Sequence, residues 1–391
     1  MAHALIIGGG VAGPVAAMAL RRAGLDATVY EAVPAGAGPS GSFLTLFANG
    51  LAALRAIGAD GPVRAVSCPA DTVESYSETG RLLGRRPMSG SGEAGLSPRT
   101  VPRAVLCRVL REEAARQGVR VEHGKRLVGL TTRSHGRMVA SFADGTHAEG
   151  TLVIGADGIR SRVRALLDPA APPPRHTGQF TVSGRTGPRA AEPAPPRTYR
   201  MYYGRGGFFG CTTAPDGSTF WFANVPGPEL SRAALAAATP DGWRRRLAEV
   251  FAADRTPAAA IVAATGDDVV GVNCYDLPST PVWHDERAVL IGDAAHATAP
   301  NAAQGASLAI EDGVVLARCL RDLPGTARAF AGYERLRRER VERVVALSAA
   351  LARRRPVTAE ERRARDAEVE RRLARSARPV RDWLTGYRID W

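Results

Sequence analysis

Three short stretches bring glycines and carboxylates together at spacings that suit a nucleotide. Gly8, Gly10 and Gly13 fall in G-x-G-x-x-G order between the apolar run ALII at residues 4–7 and the helical pattern VAAMALRRAG, and Glu31 closes a second run, DATVYE. The chemistry this suits is pyrophosphate recognition: Gly8 permits a tight turn, Gly10 lets backbone approach the phosphates, and Gly13 allows close helix–strand packing at a positive helix end. An acid about 20 residues beyond the glycines accepts hydrogen bonds from the ribose hydroxyls and disfavours a 2′-phosphate there. The motif alone serves NAD and FAD alike. A second stretch, TLVIGADGIRSRVR, ends a buried run in Gly155, Asp157 and Gly158, followed by Arg160, Ser161 and Arg164. A third, RAVLIGDAAHATAPNAAQGASLAIEDG, ends its run in Gly292 and Asp293, then places Pro300 and Gly305 ahead of an apolar helical period. The Asp293 carboxylate can hold a sugar-like hydroxyl, and the helix start behind Gly305 favours an anion such as the N1–C2 region of a reduced flavin.

All three need the same support, a strand whose C-terminal end meets a helix start, and together they predict one edge of an open parallel α/β sheet. Residues 68–98 and 169–284 read differently. After the proline-rich DPAAPPPRH, the runs QFTVSGR, RTYRMYYGRGGFFGCTT and STFWFANVPG alternate as strands of a mostly antiparallel sheet. The length of 391 residues suits two or three domains. Five scattered cysteines (Cys68, Cys107, Cys211, Cys274, Cys319) form no C-x-x-C pair, so no metal site is expected and a reduced, cytoplasmic setting fits. ALII breaks into glycines without a basic leader, and no later run approaches a membrane span. The formal charge of +13 comes almost wholly from arginine, since Lys125 is the sole lysine. That skew fits GC-rich coding and is weak evidence for nucleic acid, so no nucleic-acid partner is expected. The arginines crowded into residues 336–377 alternate with glutamates at helical spacings, as on a solvated helix, with a steering field for an acidic substrate or carrier protein as the alternative.

In this order the three stretches resemble the group A flavoprotein monooxygenases, the para-hydroxybenzoate hydroxylase-like family, over nearly the whole chain. The resemblance implies a Rossmann-like FAD-binding domain of the GR2 type at residues 1–67, 99–168 and 285–345, an inserted antiparallel substrate domain at 68–98 and 169–284, and a C-terminal helical segment at 346–391. It implies FAD as bound cofactor, NADPH or NADH as transient donor, and O2 as co-substrate. GGGVAG and Glu31 would hold pyrophosphate and ribose, Asp157 would serve FAD and NAD(P)H binding, Gly292 and Asp293 would meet the ribityl chain, and Pro300 to Gly305 would lie beside the isoalloxazine. By the same resemblance Arg103 opens a helix near FAD, Thr45 touches the flavin, and Leu127 offers backbone contacts to adenine, with ordinary strand packing as the other reading of Leu127. Two residues depart from the family pattern: Ala303 stands where glycine precedes Gln-Gly, and Ala48 where proline precedes Asn49.

Tyr202, Tyr203, Phe208, Phe209, Phe220, Trp221 and Phe222 cluster in the antiparallel segment of a chain with 6% aromatics. Any one of them is more readily core than ligand contact, but as a group they favour a flat apolar substrate, with Tyr202, Phe209, Phe220 and Phe222 as pocket candidates. No polar pair stands out as catalytic, as the resemblance implies for a reaction carried by a flavin C4a-hydroperoxide. His176, Arg200 and Arg205 are candidates for polarising a substrate, with surface solvation as the stronger reading. The leading expectation is hydroxylation or epoxidation of an aromatic or polycyclic small molecule, in natural-product tailoring. A dehydrogenase or reductase without oxygen insertion, and a structural-flavin partner in a biosynthetic complex, stay open, as does the oligomeric state. Halogenation is disfavoured, because WFANVP lacks the second tryptophan of W-x-W-x-I-P and Lys125 is expected in a strand of the FAD domain. Trp383, Tyr387 and Trp391 are expected to cap the domain interface, with packing in a dimer as the other reading.

Overall fold

The computed structural model describes residues 3–36, 43–88, 95–133, 136–188, 193–353, 358–375 and 383–391. The chain opens with β1 (His3–Ile7), α1 (Ala12–Arg22), β2 (Asp26–Glu31), β3 (Phe43–Leu46), α2 (Ala48–Ala56) and α3 (Asp60–Ala65). There follow β4 (Cys68–Pro69), β5 (Thr72–Ser77), β6 (Leu82–Pro87), β7 (Arg99–Pro102), α4 (Arg103–Arg116) and β8 (Arg120–His123). Next come β9 (Leu127–Thr132), β10 (Met138–Phe142), β11 (His147–Gly150), β12 (Leu152–Gly155) and α5 (Arg162–Leu167). Then β13 (Arg175–Arg185), β14 (Thr198–Tyr203), β15 (Phe208–Thr213) and β16 (Thr219–Pro226) lead into α6 (Arg232–Ala237), α7 (Pro240–Phe251), α8 (Ala258–Ala263) and β17 (Val269–Asp276). The last elements are β18 (Ala288–Leu290), α9 (Asp293–His296), α10 (Gly305–Asp322), α11 (Thr326–Arg353) and α12 (Ala359–Arg375).

A parallel sheet ordered β18-β12-β1-β2-β8 carries the cofactor half. Its central strands β1, β12 and β18 are short, apolar and buried on both faces, which suits a sheet covered by helices on both sides. β1 sits centrally, paired in register with β12 and β2, so the glycine turns after β1, β12 and β18 emerge along one edge. α10 packs against α1 at close range, where a Cβ on Gly313 would press on the backbone of Ala16.

The second sheet runs β17-β13-β16-β15-β14-β5-β6 and is antiparallel except for the β14–β5 pair. α7 and α8 close one of its faces through Trp243, Leu247, Phe251, Ile261 and Val262, and α12 lies on β6, where Val369 and Leu373 meet Leu83. Two small sheets, β3-β7-β4 and β11-β10-β9, complete the cofactor side. Cys68 and Pro69, at the expected start of the substrate domain, pair with β7, and α11 runs unbroken past residue 345. The basic run is helical through α11 and α12, while its residues 354–357 and 376–377 lie outside the described residues.

Two expectations are corrected here. Lys125 is not in a strand but in the link between β8 and β9, where its amine donates to Asp144 and Thr146, each at 2.8 Å. Tyr387 and Trp391 cap the core of the cofactor half rather than an interface between domains. Trp391 packs on that core beneath Arg321, and Tyr387 lies under Arg340, 4.5 Å from the guanidinium to the ring centre. Trp383 stays 39% exposed with Arg343 over its ring.

Candidate active site

The turn after β1 can only be built from glycine. Gly8 has φ +110°, and a Cβ there would collide with the backbone of Ala156 and Asp157. A Cβ on Gly13 would lie on the carbonyl oxygen of Gly8, so glycine there is what lets α1 start against β1. Gly10 differs, since a Cβ would meet nothing within 4 Å, and this is the side on which a phosphate can approach the backbone. Glu31 anchors the turn by accepting from Gly9 N–H at 2.7 Å and Val33 N–H at 2.8 Å, and its remaining lone pairs can take ribose hydroxyls. Arg103 is exposed at the start of α4. Two turns along, Arg111 donates to the Gly9 carbonyl at 2.9 Å. Leu127 is buried in the core as the first residue of the edge strand β9, with Phe142 as its ladder partner.

Asp157 is committed to its own loop. It accepts from Ser161 Oγ at 2.5 Å, Arg162 N–H at 2.7 Å and Val163 N–H at 3.1 Å, which satisfies the orphan amides at the start of α5. Burial pushes its pKa up against those bonds. Its contribution to the site is the shape of the Gly155–Gly158 turn more than a free carboxylate. The buried Arg164 then ties that turn to the next, donating to Ile159 O at 2.6 Å and Ala294 O at 2.8 Å.

At the far end Gly292 has φ +60°, and its N–H donates to Asp312 Oδ2 at 2.8 Å. Asp293 is half-buried at the start of α9, with no hydrogen-bond partner among the described residues, as suits a carboxylate that takes ligand hydroxyls. Pro300–Ala302 form one 3-10 turn, and Ala303 follows in the left-handed region at φ 51°, ψ 33°. That conformation, free to the family's glycine, costs an alanine about 1 kcal/mol. Gln304 is buried and accepts from Asn49 Nδ2 at 3.1 Å, just before α10 begins at Gly305.

Beneath this loop lies a buried ionic group, with only Arg340 reaching partly to the surface. Glu311 is held by Arg340 at 2.8 Å, Arg337 at 2.5 Å and the Asn49 amide at 2.6 Å, while Asp312 bridges Arg337 at 2.7 Å and His296 at 2.5 Å. Burial alone would raise the Asp312 pKa, but His296, Arg337 and the Gly292 amide hold it well below the usual carboxylate range.

The pleat of the second sheet decides which aromatics face this edge. Tyr202 pairs with Phe209, Phe209 with Ala223, and Cys211 with Trp221, so these side chains share a face. That is the face closed by α7 and α8, and Tyr202 and Phe209 are buried there with Trp221 and Phe251. Both are core residues, which corrects their assignment to the pocket. Phe220 and Phe222 point the other way, toward the cofactor half, with Phe43 of β3 at 5.3 and 6.1 Å between ring centres. The same face contributes Gln179, whose amide donates to Asn301 at 2.5 Å, and Tyr199, whose hydroxyl meets Thr45 Oγ1 at 2.8 Å and Thr100 Oγ1 at 2.5 Å. Full burial pushes the Tyr199 phenol up to about 12. Arg200 shares the Tyr202 face beside Glu74, Arg205 sits at the turn after β14 beside Asp254, and His176 packs edge-on to Tyr275. None of the three is brought to the flavin loop.

The comparisons agree with this geometry. A family model described as FAD binding domain matches residues 1–348. The chain is 33% identical over 357 residues to aurachin C monooxygenase/isomerase of Stigmatella aurantiaca, covering 88% of this chain and 86% of that protein. It is 30% identical over 360 residues to 6-hydroxynicotinate 3-monooxygenase of Pseudomonas fluorescens, covering 88% and 89%. Among solved structures, Klebsiella pneumoniae HpxO complexed with FAD and uric acid superposes with a TM-score of 0.84 at 25% identity, over 96% of each chain.

The chain belongs to the group A flavoprotein monooxygenases. It is an FAD-dependent monooxygenase that uses NAD(P)H and O2. The residues present fit FAD: an open backbone at Gly10, a ribose acid at Glu31, an unengaged carboxylate at Asp293, and a helix start at Gly305. Bound FAD, once reduced by NAD(P)H, supplies the activation of O2. The Phe220–Phe222 face is tied to the Pro300–Gly305 loop through the Gln179–Asn301 hydrogen bond.

Sequence reasoning missed the supporting monooxygenase residues. Arg111 was readable in principle, two helical turns beyond Arg103. Glu311 and Asp312 stand in plain view in AIEDG, but their partners Arg337 and Arg340 lie in an arginine-rich helix that reads as solvated.

Proposed function

We propose that this monooxygenase hydroxylates or epoxidises a flat, largely apolar aromatic or polycyclic molecule, in natural-product tailoring. The observation that carries the reading is the aromatic wall of Phe43, Phe220 and Phe222 on the sheet face that meets the flavin loop. Such rings stack on a planar substrate and exclude water from the reacting atoms. Asn224 adds one polar contact on the same face. Its carbonyl oxygen is taken by the Thr181 hydroxyl at 2.7 Å, so its amide N–H groups are what it would offer to a substrate oxygen. Relatives named for aurachin C and 6-hydroxynicotinate support a ring substrate. Its setting is the cytoplasm, with a small molecule as partner; among the described residues no helix is long and apolar enough to cross a membrane.

The test is to reduce the FAD-loaded protein anaerobically with NADPH or NADH, mix it with oxygenated buffer and a panel of fused-ring phenols, and weigh the products. A phenol that perturbs the flavin spectrum, accelerates NAD(P)H oxidation and gains one oxygen atom supports the reading. Reoxidation that no ligand alters and that yields no oxygenated product sinks it in favour of a dehydrogenase or a structural flavin.

A further inference from the structure

One hydroxyl grips the flavin loop from outside it. Ser348, fully buried near the end of α11, accepts from Ala302 N–H at 3.0 Å and donates to Ala299 C=O at 2.6 Å. A serine within a helix ordinarily bonds back to its own preceding turn or faces water. Here both its donor and its acceptor are directed to another segment, where they bridge the ends of the Pro300–Ala302 turn. The residue that follows is Ala303, in the left-handed region at φ 51°, where an L side chain is strained and nothing in its methyl group can compensate. Beyond it Gln304 is pinned to Asn49, and before it Asn301 accepts from Gln179. The strained residue thus sits between anchors on both sides, and the one on its N-terminal side within the cofactor half is Ser348.

We propose that Ser348 is a positioning residue for the flavin loop. Its two hydrogen bonds hold Ala303 in the conformation that glycine adopts unaided, and so aim the backbone of Pro300–Gly305 and the start of α10 at the isoalloxazine. If the bridge opens, Ala303 relaxes toward the right-handed region and the loop turns away. Because Ser348 is fully buried, it acts through Ala299 and Ala302 and not on the flavin. The proposal rests on FAD binding alone, independent of which substrate the enzyme takes.

The prediction is a dependence between two sites, since Ser348 matters because residue 303 is alanine. Wild type, Ser348→Ala, Ala303→Gly and the double variant are compared by FAD dissociation constant from fluorescence quenching, by visible circular dichroism of the bound flavin, and by thermal unfolding. Ser348→Ala weakens FAD about tenfold and changes the dichroism, whereas in the Ala303→Gly background it weakens FAD by less than about twofold. The loss in unfolding temperature persists in both backgrounds, which separates positioning from packing. Ser348→Cys, close in size and a poorer hydrogen-bonding group, falls between serine and alanine, and decides the matter in the same two backgrounds if the alanine variants do not retain FAD. Equal effects of the substitution in both backgrounds, or no effect on FAD affinity and dichroism beside Ala303, overturn the proposal.

Discussion

The two ends of the proposed cofactor site are held by different physics. At the pyrophosphate end, Gly13 is fixed by a hard contact with the Gly8 carbonyl within one turn of chain, Gly8 by the backbone of Ala156 and Asp157 after the neighbouring strand, and Glu31 braces the turn from the adjacent strand. At the flavin end, Ala303 sits in a conformation its own type disfavours, and the loop is kept by Ser348, Gln179 and Asn49 from three other elements. One end is imposed by backbone sterics and the other by side-chain hydrogen bonds. The first tolerates no side chain, while the second can be retuned by changing residues far away in sequence.

The sharpest break in the comparison is at Gly13. A methyl group there overlaps the Gly8 carbonyl, so α1 must lift from β1 at the centre of the parallel sheet. Gly13→Ala is expected to cost about 4 kcal/mol and to abolish FAD binding, as read by denaturant unfolding and flavin content after purification. Retained flavin would show that this end adapts as the other does. The matching change at the flavin end is Glu311→Ala. It leaves Arg337 fully buried with Asp312 as its remaining carboxylate, and Asn49 with Gln304 as its remaining partner. A loss of about 3–5 kcal/mol is expected. Flavin should be retained weakly, because the pyrophosphate turn is intact; complete loss of flavin would mean that the two ends are not separable.

This difference is also why the sequence is legible at one end and opaque at the other. G-x-G-x-x-G and Glu31 lie within one βαβ unit, so spacing alone recovers the contacts of Gly13 with Gly8 and of Gly9 with Glu31, though not that of Gly8 with Ala156. Asp293 and Gly305 follow for the same reason, as strand end and helix start. Ser348 is separated from Ala299 by 49 residues, and Arg337 from Asp312 by 25, and no periodicity announces such pairs. The substrate sheet was half legible. Alternation places Phe220 and Phe222 together, but whether Tyr202 and Phe209 share their face depends on hairpin register, and the Tyr202–Phe209 and Phe209–Ala223 pairs put them on the opposite one. Loop length in RTYRMYYGRGGFFGCTT does not specify that register, so aromatic composition alone does not separate the core residues Tyr202 and Phe209 from Phe220 and Phe222.

A smaller effect separates the ends by pH. Asp312 is held below the usual carboxylate range when folded, so its contribution is present above its unfolded pKa of about 4 and is lost as pH falls through the folded value. Unfolding temperature measured against pH should fall on the acid side of about pH 4, and Asp312→Asn should flatten that fall by up to about one proton. Paired carboxylates such as Glu113 and Asp71 add the same sign, whereas Asp157, raised by burial, opposes it. An unchanged acid limb in the variant would place acid sensitivity outside the flavin end.

The smallest change tests whether the flavin end can be improved where it departs from its family. Ala48 is the first residue of α2, immediately before the Asn49 that pins Gln304. Proline is favoured at a first helical position, because its fixed φ is already helical and an amide there has no partner in its own helix. Phe47 before it is extended at φ −93°, ψ 172°, the conformation that a following proline requires. Ala48→Pro should therefore stabilise by about 0.5 kcal/mol, mainly by restricting the unfolded chain, and leave FAD affinity unchanged. Ala48 is fully buried, so the ring must find room for its extra carbons. A stability gain with weaker FAD would mean that the ring shifts Asn49 and that α2 itself tunes the loop. A gain with unchanged FAD would leave Ser348 and Ala303 as the pair that sets it.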